Sequence, residues 1–438
     1  MKITVVGCGY LGAVHAASLA ELGHQVVGID VDADKVALLA AAKPPFYEPG
    51  LSELLEKVSA TGRLTFTTDI SAAAGSAAHF IAVGTPQLKD SYAADLSYVD
   101  HAIESLIPYL APGDVVVGKS TVPVGTAARL SARLKEADSG AELAWNPEFL
   151  REGHAIADTL RPDRLVYGLP ADEAGRDRAR AVLDEVYAVA LAVPTPLVAT
   201  DYATAELVKV SANAFLATKI SFINAMAEIA EVTGADVTQL AEALGHDVRI
   251  GRRFLNAGAG FGGGCLPKDI RAFSAHAEEL GRGESVAFLR EVDAINLRRR
   301  QRVVDLTISA LGGQPNKKKV AVFGLAFKPE SDDVRDSPAL DVAVSLRGRG
   351  VEVRATDPKA IPNSRRLHPQ LEFVDDPFVA ATGAQVVVLV TEWPVFRSMD
   401  PVALLAAVAN PVIIDARNCL DAGAWRDAGW TYIGLGRP

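Results

Sequence analysis

Lys2-Ile3-Thr4-Val5-Val6-Gly7-Cys8-Gly9-Tyr10-Leu11-Gly12 decides how the first part of the chain is read. An apolar run stops at a glycine, the G-x-G-x-x-G spacing follows, and an Ala/Leu-rich helical pattern begins at once. Gly7 permits the tight turn, Gly9 lets the backbone approach a pyrophosphate, and Gly12 lets helix and strand pack closely, while the helix N-terminus favours negative charge. Asp30, closing the next apolar run, stands where a carboxylate accepts adenosine ribose hydroxyls and repels a 2′-phosphate, which favours NAD over NADP. Glycines alone are a weak signal, because tight strand-to-helix turns use them for steric reasons. Asp30 turns the balance towards a dinucleotide site.

Outward from this stretch, short Val/Ile-rich runs alternate with helical ones: Ile3 to Val6, Val26 to Ile29, Phe80 to Val83 and Val115 to Val117. The alternation returns at Val320 to Phe323, Val351 to Thr356, Val386 to Val390 and Val412 to Ile414. Such patterning predicts an α/β fold of two Rossmann-like, doubly wound parallel-sheet domains. Correspondence extends to punctuation, with Gly7 and Gly324 after the first strand and Asp30 and Asp357 closing the second. Between them the Pro- and Gly-free stretch from Asp201 to Thr233 predicts one long helix of roughly 45–50 Å, more than a small domain covers, and so a contact with a second subunit. The expected division is 1–200, a central helical part 201–300, and 301–438, with the junction into the last domain at Asn316-Lys317-Lys318-Lys319.

The 438 residues exceed what one core serves, and 49% hydrophobic against 22% charged residues is a globular balance. A net charge of −10 opposes bulk attraction to nucleic acid or to an anionic membrane, so an anionic ligand needs a local cluster of Lys and Arg. Neither a signal-peptide pattern nor a bilayer-length apolar run is present, and Cys8, Cys265 and Cys419 are too widely spaced for a zinc or redox motif. A cytoplasmic protein without a metal site is expected. In that setting a cysteine is by default a small buried hydrophobe.

Cys265 departs from the default. It follows Gly258-Ala259-Gly260-Phe261-Gly262-Gly263-Gly264 and precedes Leu266-Pro267-Lys268-Asp269, which has the form of a helix start. Missing side chains would let a ligand pass the backbone, and a helix dipole with a nearby Lys would favour the nucleophilic thiolate. On the long helix the four-residue step from Lys209 to Asn213 puts an ammonium and an amide on one face, suited to stabilising negative charge on oxygen. Asn146-Pro147-Glu148-Phe149-Leu150-Arg151-Glu152 sets two carboxylates four residues apart for handling protons and water. Gly84-Thr85-Pro86 and Ser120-Thr121-Val122-Pro123 lie at carboxyl ends of strands, where ligands of open sheets bind. Each feature taken singly has an ordinary structural explanation; their co-occurrence is the argument.

Together with Phe46-Tyr47-Glu48-Pro49-Gly50-Leu51 and Phe323-Gly324-Leu325-Ala326-Phe327-Lys328, these motifs resemble the UDP-glucose 6-dehydrogenases of the UDP-glucose/GDP-mannose dehydrogenase family over nearly the whole chain. The resemblance implies a four-electron oxidation of a nucleotide sugar with two NAD molecules in turn, through a thiohemiacetal and a thioester on Cys265. It implies that Lys209 and Asn213 stabilise oxyanions, that Asp269, Thr121 and Glu152 position or activate water, and that Glu148 supports them. For the cofactor it implies Gly7, Gly9, Tyr10, Leu11, Gly12, Asp30 and Lys35, then Thr85, Pro86, Thr121, Glu152 and Lys268, with Arg335 reaching the pyrophosphate. Sugar-nucleotide contacts would come from Glu148, Phe149, Leu150, Arg151, Lys209 and Asn213, and from Phe254, Gly262, Lys328, Arg417 and Arg249, the last from a neighbouring subunit of a homodimer. One departure is that Gly264 stands where the family usually has Ser. The same chemistry on UDP-N-acetylmannosamine or GDP-mannose, a two-electron hydroxyacid dehydrogenase, and a non-catalytic nucleotide-sugar sensor remain the alternatives.

Overall fold

A computed structural model describes residues 1–438. The chain packs as two compact units, Met1–Ala212 and Asn213–Pro438, and the boundary falls within the long helix Tyr202–Thr233.

The first unit carries β1 (Lys2–Val6), β2 (Gln25–Ile29), β3 (Leu64–Thr67), β4 (Ala78–Ile81), β5 (Val115–Gly118), β6 (Glu142–Trp145), β7 (Leu165–Leu169) and β8 (Leu197–Asp201). They form one sheet in the order β3-β2-β1-β4-β5-β6-β7-β8, parallel except between β6 and β7. β4, β5 and β6 are buried at every position, as strands covered on both faces must be. Alternation sorts their side chains into two cores. Val115 and Val117 join the helices Tyr10–Glu21 and Glu173–Val186, whereas Val116 joins Ser97–Leu106 and Thr126–Glu136. Burying each such valine contributes roughly 1.5–3 kcal/mol. All four strands expected here form, with ends displaced by one or two residues; β3, β6, β7 and β8 were not singled out in the sequence. β3, β6 and β8 mix Thr, Glu, Trp or Asp among their apolar residues, and β7 is a short run broken by Gly168, so none carries a strong signal.

The second unit repeats the winding with β9 (Lys319–Phe323), β10 (Glu352–Thr356), β11 (Glu372–Phe373), β12 (Val386–Leu389), β13 (Val412–Asp415) and β14 (Thr431–Gly434), in the order β11-β10-β9-β12-β13-β14. Ahead of this sheet stand the rest of the long helix and the helices Leu266–Glu279 and Phe288–Ala310. Ala214, Ala217, Phe261, Ile270, Leu289 and Val292 make a core between them. The long helix has 32 residues, and its other side leaves Phe215, Phe222 and Ile229 exposed in seven-residue steps. At 3.6 residues per turn those steps drift only about 20° and keep the three on one face.

Candidate active site

The glycine turn of the first unit behaves as its spacing predicts. Gly7 has φ +90° and donates its N–H to Ile29 O at 2.8 Å, closing the turn across β2. A Cβ on Gly12 would overlap Gly7 O, so helix and turn touch there, whereas a Cβ on Gly9 would meet nothing within 4 Å. Space is therefore left beside Gly9, the N-cap of the helix that carries Tyr10 and Leu11. Asp30 accepts the Cys8 N–H at 2.7 Å and the Asp32 N–H at 3.0 Å, and the Lys35 ammonium lies 3.0 Å from both of its oxygens. These residues fit a dinucleotide: an open cradle of backbone N–H groups with an acid beyond it.

Beside the turn, the Thr85 hydroxyl donates to Thr121 O at 2.8 Å and Ser120 to Val83 O at 2.6 Å, which ties together the loops after β4 and β5; Pro86 is exposed. The segment Asn146 to Glu152 is loop, and a helix begins only at Ala155. Glu148 has a 12% exposed side chain and is 2.8 Å from the Lys209 ammonium, itself buried. Burial works against its charge, but Lys209 and the Leu150 N–H, 2.6 Å away, hold the carboxyl below its ordinary pKa. Phe149 lies under the Arg164 guanidinium, 3.8 Å from the ring centroid. Arg151 is exposed and chelates Asp158, and Glu152 is half-buried.

Two carboxylates that the sequence did not mark as site residues hold this loop system. Glu48 bonds the Tyr10 hydroxyl and accepts the N–H groups of Gly153 at 2.6 Å and Ala155 at 2.7 Å. Glu206, one turn before Lys209, accepts from Gly125 at 2.8 Å and Ala127 at 2.6 Å, capping the helix that follows Thr121. Glu48 lies in the Phe46–Leu51 motif and Glu206 shares the long helix with Lys209 and Asn213, but sequence alone assigned neither a role.

In the second unit Cys265 is exposed and is the N-cap residue of Leu266–Glu279, with Pro267 in its first turn and its carbonyl accepting the Asp269 N–H at 2.9 Å. Asp269 is 3% exposed and is held between Asn213 Nδ2 at 2.6 Å and the Lys268 ammonium at 2.7 Å. Thus Cys265, Lys268 and Asp269 stand at one helix start, with Asn213 bonded to Asp269.

The glycines before Cys265 have a different reason from the one expected. They face protein rather than open space. A Cβ would meet Ala416 O at Gly258, Asn296 at Gly260, Asp336 O at Gly262, the Phe327 ring at Gly263 and the Arg335 guanidinium at Gly264. Gly264 thus makes room for Arg335, whose carbonyl accepts the Gly263 N–H at 2.9 Å and whose guanidinium is held by Asp333. Arg417, expected on the substrate, donates to Gly260 O at 2.9 Å, Val390 O at 2.6 Å and Phe327 O at 3.2 Å, fastening the loop to the sheet. The Lys328 ammonium lies 5.3 Å from the centroid of the Phe327 ring. Phe254 is partly exposed with φ +66°, and Arg249 projects outward with an 85% exposed side chain, paired to Asp247.

Residues 1–191 match the UDP-glucose/GDP-mannose dehydrogenase family, NAD binding domain, residues 203–298 its central domain, and residues 321–422 its UDP binding domain. The chain is 42% identical to the UDP-glucose 6-dehydrogenase of Rhizobium meliloti (strain 1021), over the full length of both. With UDP-glucose 6-dehydrogenase TuaD of Bacillus subtilis (strain 168) it shares 41%, over all of this chain and 93% of the other. A solved UDP-glucose dehydrogenase from Pyrobaculum islandicum superposes with TM-score 0.89 at 38% identity, covering 100% of this chain and 98% of that one. A UDP-D-ManNAc dehydrogenase from Pyrococcus horikoshii gives 0.85 at 28%, covering 100% and 99%.

Proposed function

The chain belongs to the UDP-glucose/GDP-mannose dehydrogenase family, with NAD as its cofactor, and we propose that it oxidises C6 of UDP-glucose to the carboxylate of UDP-glucuronate. The observation that carries the chemistry is Cys265 exposed at a helix start beside the Asn213–Asp269–Lys268 cluster. The substrate follows the full-length relatives at 42% and 41% identity, both UDP-glucose 6-dehydrogenases.

Gly9 and Asp30 would hold NAD, whose nicotinamide would supply the hydride acceptor for two successive oxidations at C6. The first leaves an aldehyde once the hydroxyl proton is lost. Cys265 Sγ bonds the aldehyde carbon, and the carbonyl oxygen gains a proton to give a thiohemiacetal. Its oxidation leaves a thioester, to which water adds; collapse breaks the C–S bond, returning the thiol and releasing the carboxylate. Lys209 and Asn213 stabilise the negative charge that gathers on oxygen at each addition. Asp269, Thr121 and Glu152 orient the water, and Glu148 holds Lys209 in place through the 2.8 Å pair. Arg335 serves the cofactor pyrophosphate, and Phe149, Leu150, Lys328 and Arg417 frame the sugar nucleotide.

The exposed Phe215, Phe222 and Ile229 stripe supports a homodimer, in which Arg249 would complete the partner's substrate site. No helix is long and apolar enough to cross a membrane, and a cytoplasmic location suits three cysteines that form no disulfide. Offering UDP-glucose, UDP-N-acetylmannosamine and GDP-mannose with NAD tests the assignment: two NADH per UDP-glucuronate formed is the expected result. One NADH per sugar, or activity only on another sugar, overturns it.

A further inference from the structure

The chain from Gly258 to Gly264 holds five glycines, and ordering a glycine costs more backbone entropy than ordering any other residue. Such a segment keeps one shape only where outside groups fasten it. Asn224 Oδ1 accepts the Gly258 N–H at 2.8 Å, Ala416 O the Ala259 N–H at 2.8 Å, and Arg335 O the Gly263 N–H at 2.9 Å.

At Phe261 the hold is double. Asn296, from the helix Phe288–Ala310, accepts the Phe261 N–H on Oδ1 at 2.7 Å and donates from Nδ2 to Phe261 O at 2.9 Å. One amide thus pairs with both backbone groups of one residue, as a neighbouring strand would. Asn296 is 0% exposed, so losing either bond would strand a buried polar group. Gly260 lets the amide come this close: a Cβ there would lie 2.3 Å from Asn296 Oδ1.

One turn farther along the same helix, Arg300 is also buried. It donates from Nη2 to Phe261 O at 3.0 Å and to Asp336 O at 3.1 Å, and from Nη1 to Asp336 Oδ1 at 2.7 Å. Asp336 follows Arg335, whose carbonyl holds Gly263. Phe261 and Gly263, four and two residues before Cys265, are therefore both referred to this helix, the first directly by Asn296 and the second through Arg300.

We propose that Asn296 is a positioning residue for Cys265: its amide fixes the Phe261 peptide, and so the place from which the nucleophile meets the aldehyde, while Arg300 holds the adjoining strap. This rests on the thioester route of the proposed function. A displaced thiol leaves the first hydride transfer possible, because that step breaks the C6 C–H and hydroxyl O–H bonds without using sulfur. C–S bond formation is what suffers, since a misplacement of about 1 Å slows such a step roughly hundred-fold. The aldehyde then escapes after yielding one hydride, whereas each carboxylate formed has yielded two.

The test counts NADH, carboxylate and free aldehyde for wild type, Asn296→Ala, Asn296→Asp and Arg300→Lys, on the nucleotide sugar that the protein oxidises. Borodeuteride added after the protein is removed turns each escaped aldehyde into deuterium-labelled starting sugar, read by mass. Wild type should give two NADH per carboxylate. Asn296→Ala should lower carboxylate output roughly ten- to hundred-fold and raise that ratio to about three or more, with KM for NAD changed less than about two-fold. Asn296→Asp keeps the acceptor for the Phe261 N–H and loses the donor to Phe261 O; Arg300→Lys keeps the charge but cannot span Phe261 O and Asp336 O. Both should leak aldehyde, less than the alanine variant. A merely structural role would lower NADH and carboxylate together and leave the ratio at two. That ratio in every folded variant overturns the proposal, and the aspartate variant, of the same shape, decides the matter if the alanine one does not fold. A wild type that yields one NADH per sugar, or none, would instead overturn the proposed function.

Discussion

The two strand-to-helix turns of this chain start alike and end differently. Gly7 donates to Ile29 O and Gly324 to Thr356 O, each at 2.8 Å, and both glycines are left-handed, with φ +90° and +104°. Asp30 accepts the Cys8 N–H and Asp357 the Leu325 N–H, each at 2.7 Å. Then the turns diverge. Asp357 also accepts Ala326 N–H, Lys359 N–H, Ala360 N–H and the Trp393 indole N–H, all rigidly placed. Asp30 has the Asp32 N–H and the Lys35 side chain, which can swing aside. After Gly7 a helix begins at Tyr10; after Gly324 none begins before Pro338. A carboxylate saturated by fixed donors organises a loop, whereas one held partly by a mobile lysine remains able to receive ribose hydroxyls. Equal topology therefore does not mean equal ligand.

The largest effect that bears on this contrast concerns the chemistry assigned to the second unit. Cys265→Ser should lower carboxylate formation roughly thousand-fold or more, read as NADH release and product analysis. Near-normal output from this variant would contradict the covalent route. Next, Asp357→Ala should strand several buried donors and cost about 3 kcal/mol or more of stability, seen as a lower Tm, with KM for NAD unchanged. Asp30→Ala should do the reverse, raising KM for NAD roughly ten- to hundred-fold while Tm stays close to wild type. If both acids gave the same phenotype, the distinction between the turns would fail. Gly9→Ala should fold normally and weaken NAD, whereas Gly12→Ala should lose stability, because its Cβ overlaps Gly7 O. Equal melting temperatures for the two alanine variants would argue against that contact. Smallest in consequence, iodoacetamide near neutral pH should label Cys265 alone. Burial, before any neighbouring charge, pushes the thiols of Cys8 and Cys419 up, and peptide mass analysis would reveal label on either.

Residue type and spacing made much of this readable. The Gly7–Gly12 turn, the long helix and the eight strands singled out in the sequence were legible because local periodicity and backbone sterics dictate them. Cys265 at a helix start was legible for the same reason, since Pro267 suits a first turn. Glu48 and Glu206 were not, because their importance lies in N–H groups far along the chain, at Gly153, Ala155, Gly125 and Ala127. The burial of Lys119 was also illegible: a lysine at the end of a Val-rich strand reads as the strand emerging into solvent.

By itself the sequence determined the local events: where strands stop at glycine, where helices start, and which residue types are within reach of redox and thioester chemistry. Only the tertiary structure decided which polar groups are left available after packing. It set Asp357 among fixed donors, turned the glycines before Cys265 towards Asn296, Phe327 and Arg335, and enclosed Lys119 among neutral partners. The physical reason is that periodicity acts over neighbouring residues, whereas burial and hydrogen-bond saturation depend on segments brought together from distant parts of the chain.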